Sequence, residues 1–327
     1  MTKIRIAVYG YGNLGRGVFA ALTQNPDMEP VALFTRRDPA AIPAPAEGVP
    51  VVSVADMAAW ADKVDVLILC GGSATDLPHQ GPEAARLFNT VDSFDTHAKI
   101  PEYFAAVDEA AKSGDHLSLI SVGWDPGLFS LMRVYGQAAL PEGESYTFWG
   151  RGVSQGHSDA IRRVPGVVAG VQYTVPRPEA LKAVRAGENP TLSTREKHTR
   201  ECYVVAEEGA DRAAIAKAIT EMPNYFDEYD TTVNFISMEE LKRDHAAMPH
   251  GGFVLRSGKS AKGTDQLVEY SLKLGSNPEF TSSVLVAYAR ALFRMKEQGR
   301  RGAMTVLDVP PILLLPEDPA EIRAHLL

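Results

Sequence analysis

Two textures of apolar and polar positions divide the chain. In the first third, short apolar runs alternate with helical patterns. Ile4–Tyr9 leads into Gly10-Tyr11-Gly12-Asn13-Leu14-Gly15, and Leu14, Val18, Ala21 and Leu22 recur at helical spacing until Asn25-Pro26-Asp27 stops them. Apolar runs at 30–35, 64–70, 90–95 and 117–122 predict further strands, with helices over 56–62, 82–88 and 101–113. Strands spaced by helices in this way predict a parallel sheet built from right-handed crossovers.

After Asp125-Pro126-Gly127 the texture changes. Runs at 146–149, 167–174, 199–206, 231–236, 253–257 and 267–274 resemble strands, with fewer long helices between them. Val268, Tyr270, Leu272 and Leu274 alternate with polar residues and predict one face of a half-buried strand. The expectation is a second, α+β domain with a mostly antiparallel sheet. A long helix over 278–298 follows and stops at Gly299. Its Val284, Leu285, Ala287, Tyr288, Leu292 and Met295 are expected to pack on the first domain or on a partner subunit.

Composition narrows the classes. A length of 327 residues favours two domains, and 33 Lys+Arg against 41 Asp+Glu give a net charge of -8. That balance weighs against a nucleic-acid or anionic-membrane binder. No run approaches the ~18 apolar residues of a membrane span, so a cytoplasmic protein is expected. Cys70 and Cys202 cannot build a disulfide framework or a four-cysteine zinc site. The eight histidines show no short-spaced ligand cluster, and no metal site is expected. There is also no Gly-x-Ser-x-Gly elbow and no P-loop, which assigns the hard chemistry to a nicotinamide cofactor.

The pattern Gly10-x-Gly12-x-x-Gly15 carries that assignment, because it lies between a predicted strand and a predicted helix. Its glycines permit a tight turn, close approach of backbone to a pyrophosphate, and close helix–strand packing. The second strand then ends Phe34-Thr35-Arg36-Arg37, with no acid where an NAD ribose would need one. Two guanidinium groups at that place favour the 2′-phosphate of NADP. Asp92, Asp95 and Asp125 stand at carboxyl ends of the predicted parallel strands, where open α/β sheets bind ligands. In the second half, a polar loop through Ser154-Gln155-Gly156-His157, a turn at Met248-Pro249-His250-Gly251-Gly252, and Arg200 in an apparent strand are candidates for a small polar ligand.

The chain resembles the meso-diaminopimelate dehydrogenase family. The resemblance rests on Gly10-Tyr-Gly-Asn-Leu-Gly15, Phe34-Thr-Arg-Arg37, Leu69-Cys-Gly-Gly-Ser-Ala-Thr-Asp76 and Ser121-Val-Gly-Trp-Asp-Pro-Gly127. Phe148-Trp-Gly150, Ser154-Gln-Gly-His-Ser-Asp159, Met248-Pro-His-Gly-Gly252 and Asn277-Pro-Glu-Phe280 extend it. It implies a Rossmann-type doubly wound α/β domain over 1–120, to which 276–327 return. A second α+β domain over 121–275 would bind substrate and form a homodimer.

The implied reaction is the reversible, NADP-linked oxidative deamination of the D-centre of meso-2,6-diaminopimelate to L-2-amino-6-oxopimelate and ammonia, in lysine biosynthesis. The implied cofactor contacts are Gly10, Tyr11, Gly12, Asn13 and Leu14; Thr35, Arg36 and Arg37; Cys70, Gly71, Gly72 and Ser73; Ser93, Phe94 and Asp95; and Val122, Gly123, Trp124, Asp125 and Pro126. The implied substrate contacts are Asp92, Asp95, Asp125, Trp149, Gln155, Gly156, Thr174, Arg200, His250 and Asn277. Asp125 and Asp95 are expected to move the proton, with Asp125 the stronger candidate because Gly123 and the Pro126-Gly127 turn fix its backbone. Two other readings stay open: an NADP-dependent reductase of another amino or keto acid such as dihydrodipicolinate, and a non-catalytic NADP sensor. Amino-acid-dependent NADPH production separates them.

Overall fold

The computed structural model describes residues 3–327, which divide into two compact units: Met1–Leu131 with Pro278–Leu327, and Met132–Asn277. In the first unit, β1 (Ile4–Tyr9), β2 (Met28–Thr35), β3 (Val51–Ser53), β4 (Val66–Leu69), β5 (Thr90–Asp92) and β6 (Leu117–Leu119) join the late β14 (Gly302–Met304). They form one seven-stranded sheet in the order β14-β6-β5-β4-β1-β2-β3, and every pairing in it is parallel. Helices α1 (Asn13–Leu22), α2 (Leu77–Ala85) and α3 (Ile100–Ser113) supply crossovers.

The strands are apolar on both faces because each face has its own cover. Ile4, Ile6 and Val8 pack with Val18 and Phe19 of α1, whereas Ala7 and Tyr9 pack with Ala84 of α2 and Tyr103 and Val107 of α3. The expected helix at 82–88 begins earlier, at Leu77, with Pro82 inside it, and the expected helix at 56–62 is a run of 3-10 turns over Val54–Lys63.

Helix α4 (Leu128–Ala139) was not foreseen from the pattern, and the division between units falls within it. In the second unit, β7 (Glu142–Trp149), β12 (His250–Ala261) and β13 (Thr264–Leu274) form an antiparallel sheet in the order β13-β12-β7. A second sheet runs β11-β10-β9-β8, from β8 (Gly152–Val153), β9 (Val167–Pro176), β10 (His198–Ala206) and β11 (Asp230–Phe235). It is antiparallel except where β10 pairs with β11. The residues expected to be a loop after Ser154 instead form α5 (Gln155–Arg162), with Ser154 as its N-cap.

Helix α6 (Asn277–Glu297) returns the chain to the first unit, where Leu285, Tyr288, Leu292 and Met295 join the α1 side of the sheet. Arg290, 2 % exposed, fastens it: its guanidinium donates to both carboxylate oxygens of Asp27 at 2.6 and 2.8 Å and to Asn25 Oδ1 at 2.6 Å. No helix among the described residues is long and apolar enough to cross a membrane.

Candidate active site

The first unit gathers the expected cofactor residues on five loops at the carboxyl ends of its strands. Gly10 turns the chain out of β1 at φ +103, and Gly12 is the N-cap of α1 with no side-chain cap. A Cβ on Gly15 would lie 2.1 Å from the Gly10 carbonyl oxygen, so this glycine is required by contact, whereas a Cβ on Gly12 would meet nothing within 4 Å. An uncapped helix N-terminus facing open space suits a diphosphate. At the end of β2, the Arg37 N–H donates to Thr35 Oγ1 at 3.0 Å, and Arg36 pairs with Asp76 at 2.7 Å. Both arginines are exposed, as a 2′-phosphate site requires.

The loop after β4 carries Cys70, Gly71, Gly72 and Ser73. Asp76 accepts the Gly72 N–H at 2.9 Å, and Ser73 Oγ accepts the N–H groups of Asp95 and Thr96 at 2.9 and 3.1 Å. The Ser73 hydroxyl thereby ties this loop to Ser93-Phe94-Asp95 after β5. Burial pushes the Cys70 thiol well up, so it is no nucleophile. After β6, Val122 to Gly127 form a tight turn in which Trp124 packs edge-on against Phe129, 5.3 Å between centroids. Gly127 sits at φ +132 with its α-carbon against Gly123, where no side chain fits. Asp125 is half-buried and Asp95 exposed.

Asp92 departs from expectation. It is 1 % exposed, and its carboxylate accepts the N–H of Phe94 at 2.9 Å, the N–H of Ser121 at 3.1 Å and the Tyr103 hydroxyl at 2.7 Å. An Asx turn onto Phe94 ends the strand at Asp92, three residues before the expected limit, and draws the side chain inward. Where a ligand-facing carboxylate was expected, the structure shows a side chain turned into the core and braced by three donors. Burial raises its pKa to about 6 against the lowering effect of these three donors.

The second unit builds its half from strand faces. From His198 to Val204 of β10 the buried positions are His198, Arg200, Cys202 and Val204, every second residue, and Val205 is buried after them. Arg200 stands directly opposite Thr174 on β9 and donates to its Oγ1. The guanidinium lies 3.8 Å over the Tyr229 ring. Gln172, fully buried on the same face, donates to Thr174 Oγ1 at 3.4 Å, while its Oε1 and the Nε of Arg200 have no partner. Among the described residues no carboxylate pairs with Arg200, although it is only 6 % exposed. Burial lowers its pKa, with Tyr229 opposing. The neighbouring His157 is pushed down to about 4, by burial first and Arg200 second.

Other expected residues of this unit are tied together around the Met248–Gly251 turn. Gly152 is buried against the His250 imidazole, which lies 2.4 Å from where a Cβ would be and leaves no room for a side chain. His250 Nδ1 accepts the Gly251 N–H at 2.8 Å. Gln155 Nε2 donates to Met248 Sδ at 3.0 Å, and the Asn277 N–H donates to the Met248 carbonyl at 2.9 Å. Gly156 is exposed with open space about it.

Trp149, at the end of β7, donates its N–H to His198 Nε2 at 2.9 Å, and the two rings stack 5.4 Å apart at 23°. Burial, then Arg200 and Lys197, push His198 down to about 3, which keeps its Nε2 an acceptor. Sequence reading missed His198, Tyr229 and Gln172. The one signal was that His198 stands two residues before Arg200 in an apparent strand and so shares its face.

Comparison with known proteins gives the family. Residues 123–276 match the family described as the diaminopimelic acid dehydrogenase C-terminal domain. The chain is 63 % identical over 327 residues to the meso-diaminopimelate D-dehydrogenase of Ureibacillus thermosphaericus, covering 100 % of both chains. Among solved structures, it is similar to the Corynebacterium glutamicum diaminopimelate dehydrogenase in complex with diaminopimelate, at TM-score 0.92 and 47 % identity over 99 % of each chain. An engineered D-amino acid dehydrogenase bound to NADP+ matches at TM-score 0.87 and 46 % identity, again over 99 % of each chain. The chain belongs to the meso-diaminopimelate D-dehydrogenase family.

Proposed function

We propose that this protein catalyses the NADP-dependent, reversible oxidative deamination of the D-centre of meso-2,6-diaminopimelate to L-2-amino-6-oxopimelate and ammonia. One observation carries the substrate class: a buried guanidinium, Arg200, with no carboxylate partner and an unpartnered Nε. A buried cation without a counter-charge is costly, and an incoming carboxylate removes that cost. Relatedness over the full chain supports diaminopimelate as its source.

The first-unit loops fit NADP, with Gly10, Tyr11, Gly12, Asn13 and Leu14 at the diphosphate and Thr35, Arg36 and Arg37 at the 2′-phosphate. Cys70, Gly71, Gly72 and Ser73, with Ser93, Phe94, Val122, Gly123, Trp124 and Pro126, would line the remainder. Bound there, NADP supplies the hydride acceptor.

The chain's own residues do the rest. Arg200, oriented by Thr174 and faced by Tyr229, clamps the carboxylate of the L-centre that does not react. His250, Gln155, Gly156 and Asn277 hold the polar groups of that end. Asp95 and Asp125 bind the ammonium of the D-centre; Asp125 accepts the proton that must leave that ammonium before oxidation, releases it to solvent, and then accepts a proton from the water that attacks the iminium carbon and returns it to the departing amine. Trp149, held by His198, walls the reacting carbon and restricts water. A homodimer is part of this reading: the second unit exposes Val134 and Tyr135 on α4 and Leu267 and Val268 on β13, apolar area that a second copy would cover.

The test is purified protein with NADP and the meso-, LL- and DD-isomers separately. NADPH is expected from the meso isomer and not from LL, which has no D-centre. Silence with meso, or equal rates with LL, overturns the proposal.

A further inference from the structure

Asp92 is a buried acid for which the proposed chemistry has no direct use. Its two oxygens and its backbone join the two loops that carry most of the proposed chemistry. One oxygen accepts both the Phe94 and the Ser121 N–H, at 2.9 and 3.1 Å, so a single atom spans the loop after β5 and the loop after β6. The Asp92 carbonyl oxygen accepts the Val122 N–H at 2.8 Å and adds a second tie between them. Ser121 is held at φ +57, a left-handed conformation that a serine adopts only when its surroundings over-determine it.

The other oxygen is fixed from outside the sheet. Tyr103 on α3 donates to it at 2.7 Å and stacks on Phe94, 4.1 Å between centroids. The Tyr103 ring in turn occupies the space over Gly81 of α2, where a Cβ would lie 2.0 Å from its hydroxyl. One carboxylate thus locks the backbone of Ser93-Phe94-Asp95 to that of Val122-Gly123-Trp124-Asp125, with two helices behind it.

We propose that Asp92, with Tyr103, is the positioning residue that sets the two strand-end loops carrying Asp95 and Asp125, by accepting the Phe94 and Ser121 N–H groups and not by touching substrate. This rests on the dehydrogenase reading above. The required property is an acceptor oxygen at that point, not a negative charge. An asparagine retains the oxygen and can present its amide hydrogens to Tyr103 Oη, whereas a leucine of similar volume leaves two buried N–H groups without an acceptor.

The experiment compares Asp92→Asn, Asp92→Leu and Tyr103→Phe by kcat with meso-diaminopimelate, by NADPH affinity from cofactor fluorescence, and by Tm. All are assayed well below the lowest Tm. Asp92→Leu is expected to lower kcat about tenfold or more and to weaken NADPH several-fold, the scale of leaving buried donors unsatisfied. Asp92→Asn is expected to stay within about threefold of the parent in both, since the N–H groups keep their acceptor.

A leucine variant with parental kcat and NADPH affinity and only a lower Tm overturns the proposal, because Asp92 is then merely a core residue. An asparagine variant as impaired as leucine also overturns it, because charge is then what matters. If Asp92→Leu does not fold, Tyr103→Phe decides: a fall in kcat and NADPH affinity supports the proposal and parental values overturn it. Failure of the parent to make NADPH from meso-diaminopimelate would sink the dehydrogenase reading alone. The ranking of NADPH affinities would still test the brace.

Discussion

The two units build their halves of the chemistry by opposite means. In the first, function lies in backbone: loops at strand ends, held by Ser73 and Asp92, offer N–H groups and a cleared space at Gly12. The charges proposed there for the 2′-phosphate, Arg36 and Arg37, are exposed. In the second, function lies in side chains on sheet faces, and the decisive charge, Arg200, is buried before any ligand arrives. A surface charge is cheap to keep and modest in effect, whereas a buried one is costly alone and strong once paired. The comparison teaches where loss of a charge should cost most: at the buried Arg200 more than at the exposed Arg36 and Arg37.

Arg200→Met breaks that comparison most directly. Removing one member of a buried charge pair typically costs about 3–5 kcal/mol, so kcat/KM for meso-diaminopimelate should fall roughly 10²–10³-fold. NADPH affinity should stay at the parental value. Unchanged steady-state kinetics with meso-diaminopimelate would remove the clamp.

The same contrast explains what the sequence made legible. The first unit's expected parallel sheet and its Gly10–Gly15 turn were readable because their residues are neighbours in the chain. Most of their departures are local: β5 ends early at Asp92 because the side chain folds back on Phe94, and α2 starts upstream of Pro82. The three-residue β14 is too short to show a pattern and is fixed only by pairing with β6.

In the second unit, Thr174 and Arg200 are 26 residues apart and meet through antiparallel register. Composition carries no trace of that register: Arg200 stood out as an arginine in an apparent strand, but Thr174 was singled out by the resemblance alone. His198 escaped even so, since a buried neutral histidine differs from a solvated one only once the stacked Trp149 is seen. Helix α4 escaped because the Asp125-Pro126-Gly127 turn reads as the edge of a change in texture and not as the start of a helix.

Arg36 and Arg37 provide the matched experiment on the other side. Replacing both with serine should raise the KM for NADP about tenfold, the low end for charge-assisted hydrogen bonds because both groups are exposed. The KM for meso-diaminopimelate should hold. Loss of NADP preference without change in NAD use supports the 2′-phosphate site, and an unaltered NADP/NAD ratio sinks it.

His198→Phe is expected to act more gently. The Trp149 N–H loses its acceptor while the stacked ring is retained in kind, a change of about 1 kcal/mol or roughly fivefold in kcat. Trp149 emission should shift, and discrimination between D- and L-centres should narrow. A variant with parental kcat and parental isomer selectivity would show that His198 does not set Trp149.

The smallest effect separates the units by the sign of their response to acid. Asp92 has a folded pKa near 6, raised by burial above the ordinary carboxyl value of 3.8. Its contribution to stability is therefore fully present below about pH 4 and is lost as pH rises to 6. His157 and His198 are the reverse: burial first, then Arg200, lower them from 6.5 to about 4 and about 3. Their contributions are present above pH 6.5 and are lost as pH falls through that window. The lead of the parent over Asp92→Asn in Tm should shrink between pH 4 and 6 and stay flat above. Its lead over His157→Gln should shrink as pH falls from 6.5 towards 4, each change amounting to roughly 2–4 °C per kcal/mol. Thermal unfolding of the three proteins across pH 4–8 checks both slopes. Slopes of the same sign for Asp92→Asn and His157→Gln would contradict the opposition drawn between the two units.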